Sequence, residues 1–379
     1  MRWHLVTAEY PPASGGVGDY TAELARALTA AGDRVDVWVG GPGQAADGAA
    51  WPIHVLPDCF EAGSQGTLAR AWHADPGIVL VQYVPAVFGR RGANVAFCRW
   101  LLEQRRSGQD IRVMFHEPYF YFSWRKPWLN ALAIVQRVMA RIVLQAACRV
   151  YYSSANWDRY LRAYGAPANA TVLPIPATVP ANPPWALVSE FRARFTADGS
   201  PIVGHFGTFG DHVTSVLTPA LERLLREEQS VNVALIGTGG DVYRDEFVRL
   251  VPAAANRIHA TGRLKPDAVA AAIRACDVML QPYPDGVTTR RTSVMAPLAN
   301  ETATVTTDGA LTESTWRESD GVKLVPVFDP ASAVRALLEL LKDSDTRNAL
   351  ARRGADLYRS EFALDVTIAR LRESVAVSR

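Results

Sequence analysis

Residues 275–299 read ACDVMLQPYPDGVTTRRTSVMAPLA, and this stretch decides how the rest of the chain is interpreted. Its first part, up to Leu280, is a short apolar run of the kind that forms a buried strand. A loop with a glycine and two adjacent arginines follows, and then apolar residues recur at helical spacing. Because free backbone N–H groups point out of the start of a helix, this order of strand, loop and helix predicts an anion site.

The two arginines make a diphosphate a better candidate for this site than a stray ion. A helix end alone contributes about 0.3–1 kcal/mol to binding an anion. Charge-assisted hydrogen bonds contribute about 1.5–3 kcal/mol each, and the planar guanidinium groups of Arg290 and Arg291 suit phosphate oxygens. The alternative is a solvated arginine pair on a loop, and the rest of the chain bears on that choice.

The composition is that of a soluble globular protein with two domains. A chain of 379 residues is too long for one ordinary core, and its 49% hydrophobic and 21% charged content is typical of globular proteins. A net charge of +2 disfavours nucleic acid as a partner. The four cysteines lie far apart without metal-binding spacing, so we expect reduced thiols. No uninterrupted apolar run approaches 18 residues, and we expect a cytoplasmic protein.

The first residues predict a second unit of strand, loop and helix. A strand at residues 3–8 leads into the loop EYPPASGGVGD at 9–19, followed by a helix over about 20–31 and a strand at 34–39. This βαβ pattern implies a parallel sheet. Glycine allows a ligand to approach the backbone closely at a helix N-terminus. The glycines concerned are Gly15, Gly16 and Gly18.

A nicotinamide-dependent dehydrogenase is the obvious competitor for such a loop, and the pattern disfavours it. The dinucleotide fingerprint G-x-G-x-x-G would need a glycine where Thr21 stands. The loop is also long and contains two adjacent prolines, whereas the dinucleotide turn is tight.

A histidine follows one of the remaining strands predicted in the first half, at 53–56, 78–84 and 111–115. Side chains that contact ligands lie at the carboxyl ends of parallel strands, which favours a ligand role for His116. The alternative is a histidine that is only hydrogen-bonded in a loop. Zinc is disfavoured because no second histidine follows at helical spacing.

Residues 118–157 contain no Asp or Glu. An amphipathic segment without acids, rich in tryptophan, suits an anionic membrane surface or a phosphorylated, lipid-linked acceptor. We therefore expect peripheral membrane contact through about residues 120–150, with a core helix that extends its arginines to solvent as the alternative. The cations of the segment are Arg125, Lys126, Arg137, Arg141 and Arg149.

The second half repeats the pattern after a proline-rich boundary. Residues 174–184 hold five prolines, which excludes a helix or a central strand there. Strands that run into glycines are predicted at 201–207 and 231–236, further strands at 257–262, 303–307 and 322–326, and the last helices at 331–342, 344–358 and 361–377. We predict an α/β fold of two Rossmann-like, doubly wound domains joined at the prolines.

Together these motifs resemble the GT-B glycosyltransferases, in particular the retaining family GT4, or glycosyl transferases group 1. The resemblance covers nearly the whole chain and rests on SGGVGDYT at 14–21, His116-Glu117, Phe206-Gly207, Gly237-Thr238-Gly239, Thr261-Gly262, and PYPDG at 282–286 with RRTSVMA at 290–296. It implies two doubly wound domains facing a central cleft. These are an acceptor-side domain at 1–176, a linker at 177–184 and a nucleotide-sugar domain at 185–360, with a C-terminal helix at about 361–379 packing back on the first domain.

The resemblance also implies which residues form the site, with no metal and no cofactor beyond the nucleotide-sugar substrate. The catalytic residues it implies are His116 and Asp285, and Arg290 and Arg291 are the best candidates in this sequence to neutralise the leaving group. The residues it implies for binding substrate or donor are Gly15, Gly16, Gly18, Asp19, Glu117, Gly207, Thr208, Gly237, Thr238, Gly239, Gly262, Gly286, Thr288, Thr289, Thr292 and Ser293. The expected partners are a nucleotide-sugar donor and a small-molecule or lipid-linked acceptor.

The chain departs from the family pattern at two places. The family has two glutamates seven residues apart, and alignment on Met295-Ala296 puts Asp285 at the first position and Ser293 at the second. The Arg and Lys that typically follow the glycine region at 204–212 are missing, and His205 and His212 are the nearby groups. The missing second glutamate leaves open a non-catalytic protein that binds a nucleotide-sugar. A GT-B sugar-nucleotide epimerase is a further alternative, for which the carboxylates are sparse. High Ala and Arg content indicates a bacterial source, and a peripheral position at the inner membrane face is an alternative location.

Overall fold

The computed structural model describes residues 1–12, 15–41, 50–89 and 92–376. Its contacts divide the chain into unit 1, which is Met1–Pro174 with the residues from Thr367 onward, and unit 2, which is Ile175–Val366. Ser14, the first residue of the glycine motif, and residues 377–379 of the predicted last helix lie outside the described residues.

Unit 1 contains a seven-stranded parallel sheet in the order β3-β2-β1-β4-β5-β6-β7. Its strands are β1 Arg2–Thr7, β2 Arg34–Gly40, β3 Ile53–Leu56, β4 Ile78–Tyr83, β5 Asp110–Phe115, β6 Arg149–Tyr152 and β7 Thr171–Val172. Its first helices are α1 Gly16–Ala30, α2 Ala62–Ala74, α3 Val95–Arg106, α4 Leu129–Ala146 and α5 Asn156–Leu161. Every residue of β4 is buried, as expected for a strand covered on both faces. The strand order reverses between β1 and β4, so ligands are expected beyond the carboxyl ends of these two strands.

Unit 2 contains a six-stranded parallel sheet in the order β10-β9-β8-β11-β12-β13. Its strands are β8 Ile202–Phe206, β9 Asn232–Ile236, β10 Ile258–Ala260, β11 Val278–Gln281, β12 Ala303–Asp308 and β13 Lys323–Pro326. Its helices are α6 Trp185–Phe195, α7 Asp211–Glu227, α8 Gly240–Leu250, α9 Pro266–Arg274, α10 Thr292–Ala299, α11 Ser314–Glu318, α12 Pro330–Lys342 and α13 Ser344–Leu357. The order reverses between β8 and β11. The predicted α/β class, with two doubly wound parallel sheets, is confirmed.

The last helix, α14 Leu364–Ala376, packs on unit 1. The buried Arg112 guanidinium donates to the Leu371 carbonyl over 3.4 Å, and Arg372 donates to Asp33 Oδ1 over 3.1 Å. These bonds tie the helix to β5 and to the turn between α1 and β2.

The proline-rich residues 175–184 pack on unit 2. The Ile175 N–H donates to the Thr289 carbonyl over 2.9 Å, and the Asn300 side chain donates to the Pro180 carbonyl over 3.1 Å. The segment assigned to a linker, 177–184, is therefore part of unit 2 in the structure.

Among the described helices, α4 is long and apolar enough, by length and composition alone, to cross a membrane. It does not meet the sequence criterion of an uninterrupted apolar run of 18 residues, because Gln136, Arg137 and Arg141 interrupt its apolar residues. One face of α4, with Ala133, Met139 and Val143 among its residues, is fully buried in unit 1. A core helix of a globular domain meets the same length and composition criteria.

Candidate functional site

Helix α10 begins directly after the loop that follows β11, at the switch point of the unit 2 sheet. Its N-cap residue is Arg291, whose backbone is extended, and no side chain of the described residues caps the helix. The Val294 N–H donates to the Arg291 carbonyl over 3.1 Å, which closes the first turn. A helix start without a side-chain cap keeps its first N–H groups for an anion.

Three glycines that the sequence assigned to the donor site meet beside this helix. Gly207 follows β8, Gly237 follows β9 and Gly262 follows β10, and all three have positive φ values, of 154°, 126° and 66°. Gly237 forms an antiparallel bridge with Gly262, and a Cβ on Gly237 would collide with the carbonyl oxygen of Gly207. A Cβ on Gly207 would lie 3.8 Å from Ser293 Cβ. The glycine wall, Gly207, Gly237 and Gly262, therefore adjoins the N-terminus of α10.

Arg291 is held next to this helix start by Tyr283, which in turn is hydrogen-bonded to Ser293. The Arg291 guanidinium lies 4.9 Å from the centre of the Tyr283 ring. The Tyr283 hydroxyl and Ser293 Oγ are 2.7 Å apart. Burial raises the pKa of Tyr283 to about 12, so its hydroxyl is protonated at neutral pH. Arg290 precedes Arg291 in the same loop and is half-buried.

The threonines of this loop are buried, and one of them anchors the loop to a glutamate. The Thr289 N–H and hydroxyl donate to the Glu313 carboxylate over 2.5 and 3.0 Å. Thr288 is also buried. Because Thr289 directs its hydroxyl at Glu313, it supports the arginine loop from within unit 2. Both threonines are among the predicted donor contacts, whereas Glu313 is not among the predicted site residues.

Asp285, at the position of the first family glutamate, lies beside a histidine of α7. Its Oδ2 is 3.3 Å from Nε2 of His212, and both side chains are about half exposed. The following residue, Gly286, has φ 91°, and a Cβ there would come within 2.6 Å of the Gly309 N atom. The other predicted donor residues of unit 2 lie at the surface or half-buried: Thr208, Thr238, Gly239 and Thr292.

In unit 1, the predicted glycine loop starts α1, but an internal carboxylate already occupies that helix start. Glu9 accepts hydrogen bonds from the N–H groups of Val17, over 3.1 Å, and Gly18, over 3.2 Å. A Cβ on Gly15 would collide with the same carboxylate. The glycine at position 15 is thus required by Glu9. The predicted residues Gly16 and Asp19 are exposed.

His116 lies at the carboxyl end of β5, next to the switch point of the unit 1 sheet, and is buried. Its Nε2 is 2.7 Å from Gln82 Oε1 on β4, so this nitrogen donates and Nδ1 is left as the ring's acceptor. Tyr20 of α1 packs edge-on against the ring at 5.4 Å. Burial lowers the pKa of His116 to about 3, so the ring is neutral at pH 7. Its neighbour Glu117 is half-buried.

Comparison with known proteins identifies the family. Residues 15–176 match the family model described as glycosyl transferase 4-like domain, and residues 200–343 match the model described as glycosyl transferases group 1. Together the two models span most of the chain. The chain belongs to the group 1 glycosyltransferases.

Solved structures share the GT-B fold of this glycosyltransferase along its full length. Sucrose-phosphate synthase from Thermosynechococcus elongatus is 16% identical, with a TM-score of 0.70 and full coverage of both chains. HepE from Anabaena, solved with UDP and glucose, is 15% identical, with a TM-score of 0.71 and full coverage of both chains. Trehalose 6-phosphate synthase from Burkholderia multivorans is 14% identical, with a TM-score of 0.64 and the same coverage. No curated protein sequence matches the chain.

The glycosyltransferase has two further polar residues at the unit 2 switch point, His205, which is predicted only to lie near the glycine region, and Gln281, which is not among the predicted site residues. His205, near the end of β8, is 2.8 Å from the Leu280 carbonyl through Nδ1, and burial lowers its pKa to about 4. Its Nε2 has no hydrogen-bond partner among the described residues and lies 3.8 Å from the position of a Cβ on Gly207. The amide of Gln281, at the end of β11, is likewise buried without a described partner. A polar residue that ends a buried strand at a switch point was the signal available in the sequence.

Proposed function

We propose that this glycosyltransferase binds a nucleotide-sugar through unit 2 and transfers the sugar to a hydroxyl or amine of an acceptor, with retention of the anomeric configuration. The observation that carries the proposal is the uncapped start of α10, which meets the glycine wall and carries Arg290 and Arg291. Free N–H groups and guanidinium groups form a site that favours a diphosphate. The fold neighbour HepE, solved with UDP and glucose, supports a nucleotide-sugar as the donor.

The proposed chemistry depends on stabilising charge on the leaving group. As the bond between the anomeric carbon and the phosphate oxygen breaks, negative charge develops on the departing diphosphate. Arg290, Arg291 and the N–H groups of Thr292 and Ser293 stabilise this charge. The acceptor oxygen attacks from the face that the diphosphate leaves, and a donor phosphate oxygen takes the acceptor proton. That no metal takes part stays a prediction.

Asp285 and His116 are proposed to bind the sugar. The half-exposed carboxylate of Asp285 accepts hydrogen bonds from sugar hydroxyls, and His212 beside it holds its orientation. His116, which is neutral because it is buried, offers a hydrogen-bond acceptor at Nδ1 and stores no proton for catalysis. This assignment makes His116 a positioning group for the sugar and leaves acid–base work to the donor phosphate.

We further propose a lipid-linked acceptor and a peripheral position at the inner face of a bacterial cytoplasmic membrane. The tryptophans and cations of residues 120–150 support this proposal. Small-molecule and polysaccharide acceptors are the alternatives, and they need no membrane contact.

A two-stage experiment tests the function. Thermal shift and calorimetry with UDP, GDP, dTDP and ADP identify the nucleotide, and the corresponding sugars are then supplied with and without acceptors. We expect one nucleoside diphosphate to bind, and NMR of the product to show a glycoside with the anomeric configuration of the donor. Absence of binding by every nucleotide would overturn the proposal. An isomerised sugar-nucleotide formed without acceptor would indicate an epimerase, and binding without turnover would indicate a donor-binding protein.

A further inference from the structure

Exposed large apolar side chains are concentrated in one stretch of unit 1. Six of them lie within residues 121–138, while the other six of the described chain are scattered over both units. Trp124 is 99% exposed and Trp128 is 70% exposed. The six are Tyr121, Phe122, Trp124, Trp128, Ile134 and Val138. Scattered apolar residues are normal on a protein surface, whereas such a concentration marks an interaction site.

Helix α4 continues this surface along its outer face. Ala131, Ile134, Val138, Arg141 and Gln145 follow one another at helical spacing, and all five are exposed. The opposite face is buried in unit 1. The outer face is therefore apolar over its first two turns and becomes polar at Arg141. We call residues 121–141 with their exposed side chains the aromatic surface.

The loop that carries the aromatic side chains is fixed to α4 by hydrogen bonds. The Arg137 guanidinium donates to the Phe120 carbonyl over 2.9 Å and lies 4.1 Å from the centre of the Phe122 ring. The side-chain oxygen Oδ1 of Asn130 accepts from the Ser123 N–H over 2.9 Å. Trp124 is thus held outside the core by an ordered loop.

The charge of the aromatic surface is positive throughout. Residues 118–157 contain no acid, and Arg125, Lys126 and Arg141 are exposed. No ion pair of the described residues involves these three cations. Arg125 and Lys126 lie between the two exposed tryptophans in the sequence WRKPW at 124–128.

We infer that the aromatic surface docks on an anionic lipid bilayer, with α4 lying in the plane of the interface and both tryptophans at the level of the headgroups. Tryptophan is favoured at that level because its ring is amphipathic, and unpaired cations are attracted to anionic headgroups. A protein partner fits less well, because lysine and other charged side chains are depleted at the centres of protein interfaces. The inference rests on the proposed function only for the lipid-linked acceptor that it implies, since docking itself needs neither donor nor acceptor.

Vesicle flotation of the full chain tests the inference. We expect binding to vesicles of phosphatidylcholine mixed with phosphatidylglycerol, little binding to phosphatidylcholine alone, and weaker binding as salt is raised. The Arg125→Ala/Lys126→Ala variant should bind the mixed vesicles about thirtyfold more weakly, because each cation near an anionic surface contributes about a factor of five. Trp124→Ser/Trp128→Ser should bind at least about tenfold more weakly. Trp185→Ser is the matched control, because Trp185 is 73% exposed and lies in unit 2.

Three results would overturn the inference: no binding to mixed vesicles by the folded wild-type chain, equal binding to both vesicle types, or equal loss in the Trp185→Ser control. Dimerisation of the wild type that Trp124→Ser/Trp128→Ser abolishes, without vesicle binding, would assign the surface to a second copy. Thermal shift by the nucleoside diphosphate should be the same in all variants. Loss of that shift would instead concern the donor site, so failure of docking and failure of the proposed function are distinguishable.

Discussion

The starts of helices α1 and α10 are built on the same topology and carry opposite charge. Each follows a strand at the switch point of a parallel sheet, β1 in unit 1 and β11 in unit 2. At α1 the Glu9 carboxylate accepts from two N–H groups. At α10 the N-cap residue is Arg291 and no described side chain caps the helix. An anion is therefore repelled at the first helix start and attracted at the second.

The glycines at the two places differ in the same way. Gly15 makes room for the Glu9 carboxylate, so its missing side chain serves the protein itself. The missing side chain of Gly237 makes room for the backbone of Gly207, and Gly207 adjoins Ser293 of α10. A glycine-rich helix start is thus an anion site only where no internal group already occupies its N–H groups.

The largest effect that follows from this comparison concerns Arg291. Arg291→Ala should lower kcat about 10²–10³-fold, by analogy with the loss of one group that stabilises a developing oxyanion. Nucleoside diphosphate affinity should fall as well, since a charge-assisted hydrogen bond contributes about 1.5–3 kcal/mol. Steady-state kinetics and calorimetry with the donor identified above measure both quantities.

Arg26→Ala is the matched control for the arginine variant. Arg26 lies on α1, is exposed and pairs with Glu23 three residues earlier. Its loss should leave turnover within about twofold of wild type, because exposed ion pairs contribute little. Wild-type turnover in Arg291→Ala would contradict the assignment of the leaving group to α10.

Each unit also buries a neutral histidine near the end of a strand, next to the switch point in unit 1 and at it in unit 2, and this pair predicts a dependence of stability on pH. Burial lowers the pKa of His116 to about 3 and that of His205 to about 4, whereas unfolded histidine titrates near 6.5. At pH values between the folded and the unfolded pKa, the unfolded chain binds more protons than the folded chain. The free energy of unfolding therefore falls as pH drops below about 6.5. The slope is about 1.4 kcal/mol per pH unit for each histidine until its folded pKa is reached.

Urea unfolding of wild type and His205→Gln at several pH values between about 4.5 and 7 measures this slope. The variant lacks one of the two titrating side chains, so its free energy of unfolding should depend less steeply on pH. His73→Gln, at an exposed position of α2, is the control and should follow the wild-type curve. Equal slopes in wild type and His205→Gln would show that His205 is not neutral and buried in solution.

Much of the fold was predictable because buried parallel strands are short apolar runs and their helices have apolar stripes. The elements missed were β6, β7, α2, α3, α5, α6, α8 and α11. Strand β7 has only two residues, and α2 contains two glycines, so their periodicity is weak.

In the site, the proximity of Gly207, Gly237 and Gly262 was predictable, because the strands that precede them end at the same edge of the sheet. The contacts of Glu9 with α1 and of Glu313 with Thr289 could not be predicted. No pattern in the sequence indicates which carboxylate accepts hydrogen bonds from which N–H or hydroxyl groups.

Glu9→Gln tests which of the two helix starts takes the diphosphate. The variant keeps the side-chain oxygen but loses the charge, so unit 1 should be destabilised by about 1 kcal/mol, as for a weakened helix cap. Nucleoside diphosphate affinity should not change, because the anion is expected at α10. A clear gain in affinity, measured by calorimetry, would show that the Glu9 charge had been repelling the ligand and would move the diphosphate to α1.

The smallest expected effect concerns Ser293, which lies between the glycine wall and the Tyr283 ring. Ser293→Ala should weaken nucleoside diphosphate binding about fivefold, because the Tyr283 hydroxyl loses its partner and Arg291 its fixed neighbour. Since the three side chains form one connected group, the effects of Ser293→Ala and Arg291→Ala should not add in the double variant, and a coupling of at least about 0.5 kcal/mol is expected. Ser360→Ala, at an exposed position of unit 2, should show no coupling with Arg291→Ala. Strict additivity of the Ser293 and Arg291 variants would mean that Ser293 does not position the guanidinium, and the α10 site would then depend on the arginines and the helix N–H groups alone.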